Sequence, residues 1–159
     1  MRASGILLPV SSLPSEYGIG CFSKAAYDFV DRLAEAGQRY WQILPLGPTS
    51  YGDSPYQSFS TFAGNPYFID PDDLVKRGYL TKKQCDSYDF GDNVEYVDYA
   101  KIYESRFKLL REAWKNSKIS EEPAFRVFVK DNAYWLDDYA LYMAIKVSFD
   151  NVCWVEWDE

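Results

Sequence analysis

The residues best equipped for chemistry lie close together in the stretch SYGDSPYQSFSTFAGNPYFID, residues 50–70. Tyr51 and Tyr56 flank Asp53, Ser54, Gln57 and Ser58, and Gly52 and Pro55 supply a turn that presents them together. A tyrosine joins an apolar ring to a polar hydroxyl. A sugar offers the complementary surface, a flat face of C–H groups inside a rim of hydroxyls. A ring under that face buries apolar area, and short polar groups at the rim replace hydrogen bonds to water. The pattern therefore reads as a surface for a flat, hydroxyl-rich ligand. Asp53-Ser54-Pro55 also reads as an ordinary turn in which the Asp bonds its own backbone, so a purely structural loop stays open beside the binding reading. Tyr67 and Phe68, after Gly64-Asn65-Pro66, read as anchors of the loop against a core.

Composition removes several kinds of chemistry. The chain has no His. That excludes His metal sites, Ser-His and Cys-His pairs, and a His general base among these residues. Acid–base work would fall to carboxylates, Lys, Tyr or Cys. The formal net charge is -7 and no basic patch is present, so nucleic acid is not an expected partner. No apolar run approaches the roughly 20 residues of a membrane span, and no membrane partner is expected. The opening MRASGILLPVSSLP reaches Ser-Ser and Pro too soon for a signal peptide. Cys21, Cys85 and Cys153, odd in number and widely spaced, read as reduced thiols of a cytoplasmic protein. Gly18-Ile19-Gly20 ahead of a helix hints at phosphate, but it lacks the full glycine fingerprint and the Lys of a P-loop. Asp72-Asp73 and Asp137-Asp138 read as solvated helix charges.

The elements that must position the loop follow from periodicity. With 159 residues, 47% hydrophobic and 18% aromatic, the chain can form one domain with a packed core. Gly5 to Val10 is a continuous apolar run that predicts a buried strand. Ala26, Phe29, Val30, Leu33 and Ala34 predict a helix capped by Ser23 and Gly37. Arg39 to Leu46 predicts a second buried strand, and strand–helix–strand predicts a parallel pair. The aromatic loop then leaves the C-terminal end of that strand, where barrel and open α/β sheets place their sites. A short helix near Asp72 to Arg77, a polar and weakly patterned stretch from Thr81 to Val97, and helices over Tyr99–Trp114, Glu121–Lys130 and Trp135–Val147 complete the chain. Tyr103, on the first of those three, is the ring to test as ligand surface if it stands near Tyr51.

Two parallel strands do not make a fold, because such strands are buried on both faces and need neighbours on both edges. The expected class is α/β, the N-terminal portion of a (β/α)8 TIM barrel, an architecture of about 250 residues. Residues 1–48 would be its first strand–helix–strand unit. Residues 49–159 would be a substrate loop plus a largely helical subdomain inserted after strand 2. A compact α/β domain of unusual topology is the alternative.

GILLPVSSLPSEYGIG, AGQRYWQILPLGPTSYGDSPYQSFSTFAGNPYFID and WLDDYALYMAIK resemble the N-terminal third of 4-α-glucanotransferases, the amylomaltases or disproportionating enzymes. The resemblance implies an amylase-like barrel with helical insertions, much longer than this chain. It implies cleavage of an α-1,4-glucan, a covalent glycosyl-enzyme, and transfer to the 4-hydroxyl of an acceptor glucan. Such retaining chemistry uses two carboxyl groups about 5–5.5 Å apart. In the family the catalytic Asp, Glu and second Asp lie on later barrel strands, so no catalytic residue is assigned here, Asp53 included, and this portion alone is expected to be inactive. What carries over is binding. Tyr56 matches the Tyr that stacks on the glucose beside the cleavage point. Asp53 and Ser54, with Gln57 at the rim, would shape that subsite. Tyr51, with Tyr103, matches a separate glucan contact on the surface. The implied partners are α-1,4-glucans, maltooligosaccharides and the remainder of the barrel, with no metal or organic cofactor. A non-catalytic carbohydrate-binding module and a related α-glucan hydrolase are the rival readings.

Overall fold

The computed structural model describes residues 2–50 and 52–157, so Tyr51 lies outside the described residues. Packing divides the chain into two units, Met1–Ser117 and Lys118–Glu159.

In the first unit, β1 (Gly5–Leu7) and β2 (Tyr40–Gln42) pair in parallel, with Gly5 opposite Tyr40, Ile6 opposite Trp41 and Leu7 opposite Gln42. Between them runs α1 (Lys24–Glu35), with Ser23 as its N-cap residue. The parallel pairing is the one a helical crossover demands. Both strands are shorter than their apolar runs. Pro9 cannot donate to a ladder, and Val10–Ser12 turn into a single 3-10 turn behind it. The strands are also not buried, contrary to expectation, and Tyr40 is 65% exposed. With two strands in the sheet, α1 covers one face only. There Phe29 sets its ring edge-on to Trp41 at 5.1 Å, and the Trp41 indole donates to the Leu8 carbonyl at 2.8 Å. Val10, Leu13 and Ala26 centre this small core, with Leu46 and Phe68 against it.

The larger core of the unit gathers Tyr17, Ile19, Tyr67, Leu80, Cys85, Phe90, Ile102 and Leu109. Three helices build it. The first, α2 (Pro71–Lys76), has Asp70 as its cap, accepting the Asp72 N–H, and Pro71 in its first position. The second, α3 (Lys82–Asp86), arises in the stretch that shows little pattern in sequence. Thr81 and Gln84 close a reciprocal capping box there, with bonds of 2.9 and 3.2 Å. The third, α4 (Tyr99–Asn116), is capped by Asp98 and buries Ile102, Ser105, Arg106, Leu109 and Ala113. Asp72 is not a solvated charge. The buried Tyr17 hydroxyl donates to it, and Lys82 donates both to that hydroxyl at 3.0 Å and to Glu16 at 2.7 Å. Gly18 and Gly20 serve close packing, since a Cβ at either would collide with the carbonyl of Phe90 or of Val10.

The second unit contains α5 (Pro123–Asp131) and α6 (Ala133–Ser148). Asn132 joins them, donating to the Phe128 carbonyl at 2.8 Å and accepting from the Trp135 indole at 2.9 Å. Trp157 stacks on Phe149 with centroids 5.6 Å apart and planes within 14°. Neither helix has a buried residue. The loop after β2 packs with what precedes it, the Asn65 N–H bonding to the Leu46 carbonyl. No helix among the described residues is long and apolar enough to cross a membrane.

Candidate functional site

The loop that follows β2 is closed at its neck. The Asn65 N–H donates to the Leu46 carbonyl at 2.8 Å. Gly47, just beyond, is where the loop's far limb crosses: a Cβ there would collide with Ser58 Oγ and stand 3.1 Å from the Ser60 carbonyl. Among the described residues no strand or α-helix shapes the excursion. Side chains do so instead. Ser58 donates to the Ser60 carbonyl at 2.8 Å, and Ser60 Oγ accepts from the N–H groups of Phe62 and Ala63 at 3.3 and 3.0 Å. Asn65 Oδ1 accepts from Tyr67 N at 2.9 Å and starts a 3-10 turn over Pro66–Phe68. These short polar groups satisfy backbone bonds that regular structure would otherwise take.

At the tip, the Asp53 N–H donates to the Ser50 carbonyl at 3.0 Å, and the Gln57 N–H to the Ser54 carbonyl at 3.1 Å. Gly52 and Asp53 both take left-handed backbone, with φ of 81° and 53°. Tyr56 stands out from this turn and is 73% exposed. Gln57 is exposed beside it, while Asp53 and Ser54 are half-buried at its foot. Phe59 and Phe62 are exposed too. Tyr67 and Phe68 behave as anchors. Tyr67 is 5% exposed and packs against Phe107 at 5.9 Å and Tyr99 at 6.5 Å; Phe68 meets Phe22 edge-on at 6.1 Å.

Between tip and anchors lies a recess of about 30 Å³, lined among others by Val10, Thr49, Asp53, Tyr67 and Tyr99. That is room for water, not for a glucose ring. A sugar would have to rest on the open side of the loop. Burial raises the Asp53 carboxyl above the usual carboxylate range, and a hydrogen bond from Thr49 works against that rise. Among the described residues no other carboxylate acts on it. The Asp53 charge reaches α4. Tyr67 is pushed up to about 12, first by burial and then by Asp53, and Tyr99 rises for the same two reasons. Both phenols therefore stay protonated at neutral pH and remain hydrogen-bond donors.

Of the sequence-predicted residues, the structure gathers Asp53, Ser54, Tyr56 and Gln57 on one turn. Tyr103 lies on α4, 45% exposed, with its ring 5.3 Å from Phe107. It follows Tyr99 by one helical turn and so belongs to the same face. Tyr51, expected to work with Tyr103, is outside the described residues. Sequence reasoning passed over Thr49, Asn65 and Tyr99. Asn65 ahead of Pro66 carried a turn signal; nothing local to Tyr99 shows that Asp53 approaches it. Among the described residues no group of three or more Cys, Asp or Glu side chains is placed to hold a metal ion.

A family model described as 4-alpha-glucanotransferase matches residues 8–159. A curated 4-alpha-glucanotransferase of Streptococcus pneumoniae serotype 4 (strain TIGR4) is 55% identical over 159 residues, covering 99% of this chain and 32% of that protein. One from Thermus thermophilus is 48% identical over 160 residues, covering 98% of this chain and 31% of that protein. A solved structure titled amylomaltase from Streptococcus agalactiae in complex with acarbose matches with a TM-score of 0.92 at 47% identity, over 100% of this chain and 32% of that one. The chain thus spans about a third of the length of the relatives it matches.

Proposed function

Because the chain belongs to the 4-alpha-glucanotransferase family, we propose that it supplies the N-terminal, substrate-binding part of an enzyme that moves α-1,4-glucan segments between chains. In this reading β1, α1 and β2, within residues 1–48, open a (β/α)8 barrel, and residues 49–159 form the substrate loop and helical insertion. The exposed faces of the sheet and of α5 and α6 suit cover by the rest of that barrel. The donor glucan is cut with retention through a glycosyl-enzyme and passed to the 4-hydroxyl of an acceptor. The carboxylates that perform it belong to later strands.

The observation that carries the reading is the contrast of Tyr56 with Tyr67. Tyr56 is 73% exposed on a loop whose far limb is pinned, with Asp53, Ser54 and Gln57 around its base. That is a platform with a polar rim. The related amylomaltase in complex with acarbose supports a carbohydrate as the ligand. An aromatic cover over the donor sugar also suits transfer. It sheds water and leaves an acceptor glucan, with binding energy of its own, as the favoured attacker. Tyr103, on the α4 face that meets the loop, would extend the contact surface. The free thiols of Cys21, Cys85 and Cys153 support a reducing, cytoplasmic compartment.

The test is Tyr56→Ala in the full-length enzyme. Donor binding should weaken by about 1–3 kcal/mol, the worth of one buried aromatic contact, seen as a higher KM for maltooligosaccharide. Unchanged transfer kinetics would take the loop out of the mechanism.

A further inference from the structure

Arg106 occupies the inward stripe of α4 with Ile102, Leu109 and Ala113, and it is 0% exposed. Its guanidinium lies 5.6 Å from the Phe90 ring centroid. One nitrogen, Nη1, donates to the carbonyl of Ile69 at 3.4 Å. Nε and Nη2 are buried with no acceptor among the described residues. Burial lowers its pKa, while the nearby Cys21, Asp70, Tyr17 and Cys85 act in the opposite sense.

A guanidinium in such a place is costly. Desolvating the charge and leaving two N–H groups unpaired both oppose folding, and a Met of similar length would fill the space without either cost. What the arginine does that a hydrophobe cannot is hold the Ile69 carbonyl. Ile69 ends the aromatic loop. Its own N–H donates to the Pro66 carbonyl at 3.3 Å, the Phe68 carbonyl accepts from Phe22 N at 3.1 Å, and Asn65 N closes the neck on Leu46 at 2.8 Å. One bonded turn therefore separates Arg106 from the neck that carries the tyrosine tip.

We propose that Arg106 is a positioning residue, which pins the Ile69 end of the loop to α4 and thereby sets where Tyr56 meets the glucan. Its role in the reaction rests on the reading of the loop as a glucan-binding surface; the tether itself does not.

The experiment compares wild type, Arg106→Met and Arg106→Lys in the full-length enzyme, by amide hydrogen exchange, thermal unfolding and transfer kinetics on a maltooligosaccharide. Arg106→Met should keep its melting temperature within a few degrees. Exchange at Asn65, Tyr67, Phe68 and Ile69 should speed by about tenfold or more, while the amides around Leu109 stay as in wild type. The donor KM should rise about fivefold with kcat within about twofold, because the platform is displaced and not the chemistry. Arg106→Lys, which keeps the charge and loses the fork, should fall between, and it serves as the folded variant if Arg106→Met does not fold. Wild-type protection at Asn65–Ile69 in the folded variants overturns the tether. Faster exchange spread evenly over α4 overturns it too, since that marks a merely structural residue. Local loosening with unchanged KM overturns the positioning role. Tyr56→Ala then shows separately whether the glucan reading has fallen with it.

Discussion

Tyr56 and Tyr67 belong to one loop, each follows a proline, and they end in opposite places, 73% and 5% exposed. Ring content does not separate them. What does is the destination of the surrounding backbone bonds. Around Tyr56 the loop bonds itself, Asp53 to Ser50 and Gln57 to Ser54. Around Tyr67 it bonds the scaffold: Asn65 to Leu46, Phe68 to Phe22, and Ile69 to the Arg106 side chain. A segment tied outward brings its ring onto α4, and a segment tied to itself leaves its ring to solvent. A loop can thus hold a binding platform steady without burying it, provided one limb is fixed and the other only folded.

The largest effect that sharpens this contrast is Tyr67→Ala. Removing a buried ring from the Phe107 and Tyr99 contacts should cost about 3–5 kcal/mol in denaturant unfolding. Tyr56→Ala in the same assay should change stability by no more than about 0.5 kcal/mol, as exposed sites do. Equal losses at the two positions would break the comparison.

Gly47→Ala comes next, because it strikes where the two limbs cross. The new methyl would meet Ser58 Oγ and lie 3.0 Å from Ser58 Cβ. The expected cost is about 1–3 kcal/mol, typical of overpacking, with part recovered when Ser58→Ala is added. A neutral single substitution would show that the neck yields, and that the tip is held less firmly than its bonds suggest.

Much of this contrast could be read before the structure, and the reasons are physical. The parallel pair, α1 and α4 were legible because periodicity and the βαβ rule act locally. Asp53, Ser54, Tyr56 and Gln57 were legible as a group because they are contiguous. Strand burial was misread, since an apolar run looks the same whether one face or two will be covered; neighbours decide that. Asp72 looked like a solvated helix charge, and its partner, Tyr17, sits far away in sequence. The helix α3 was spelled out by Thr81 and Gln84 but is a single short turn region without an amphipathic stripe. Arg106 drew no reading from the sequence, because a charge on a helix argues for the surface. Only the packing of Phe90 and the Ile69 carbonyl shows why it turns in.

The smallest effect, and the one that tests the boundary between the two limbs, belongs to Asp53. It lies at the foot of the exposed tip, yet burial raises its carboxyl above the usual range. A carboxyl raised by folding binds its proton more tightly in the folded chain, so its ionisation opposes folding. That cost is absent below the ordinary carboxylate value of about 3.9, grows through the interval up to the raised value, and is complete above it. Asp53→Asn removes the charge and keeps an acceptor for Thr49. Asn also tolerates the left-handed backbone found there, φ 53°. The variant should therefore melt slightly higher than wild type at neutral pH, and the difference should shrink to nothing as the pH falls below the carboxylate range. A wild type that melts higher at neutral pH would mean that the Thr49 bond outweighs burial. In that case Asp53 would be an ionised acceptor stabilised at the tip, and the buried floor of the loop would end at Tyr67.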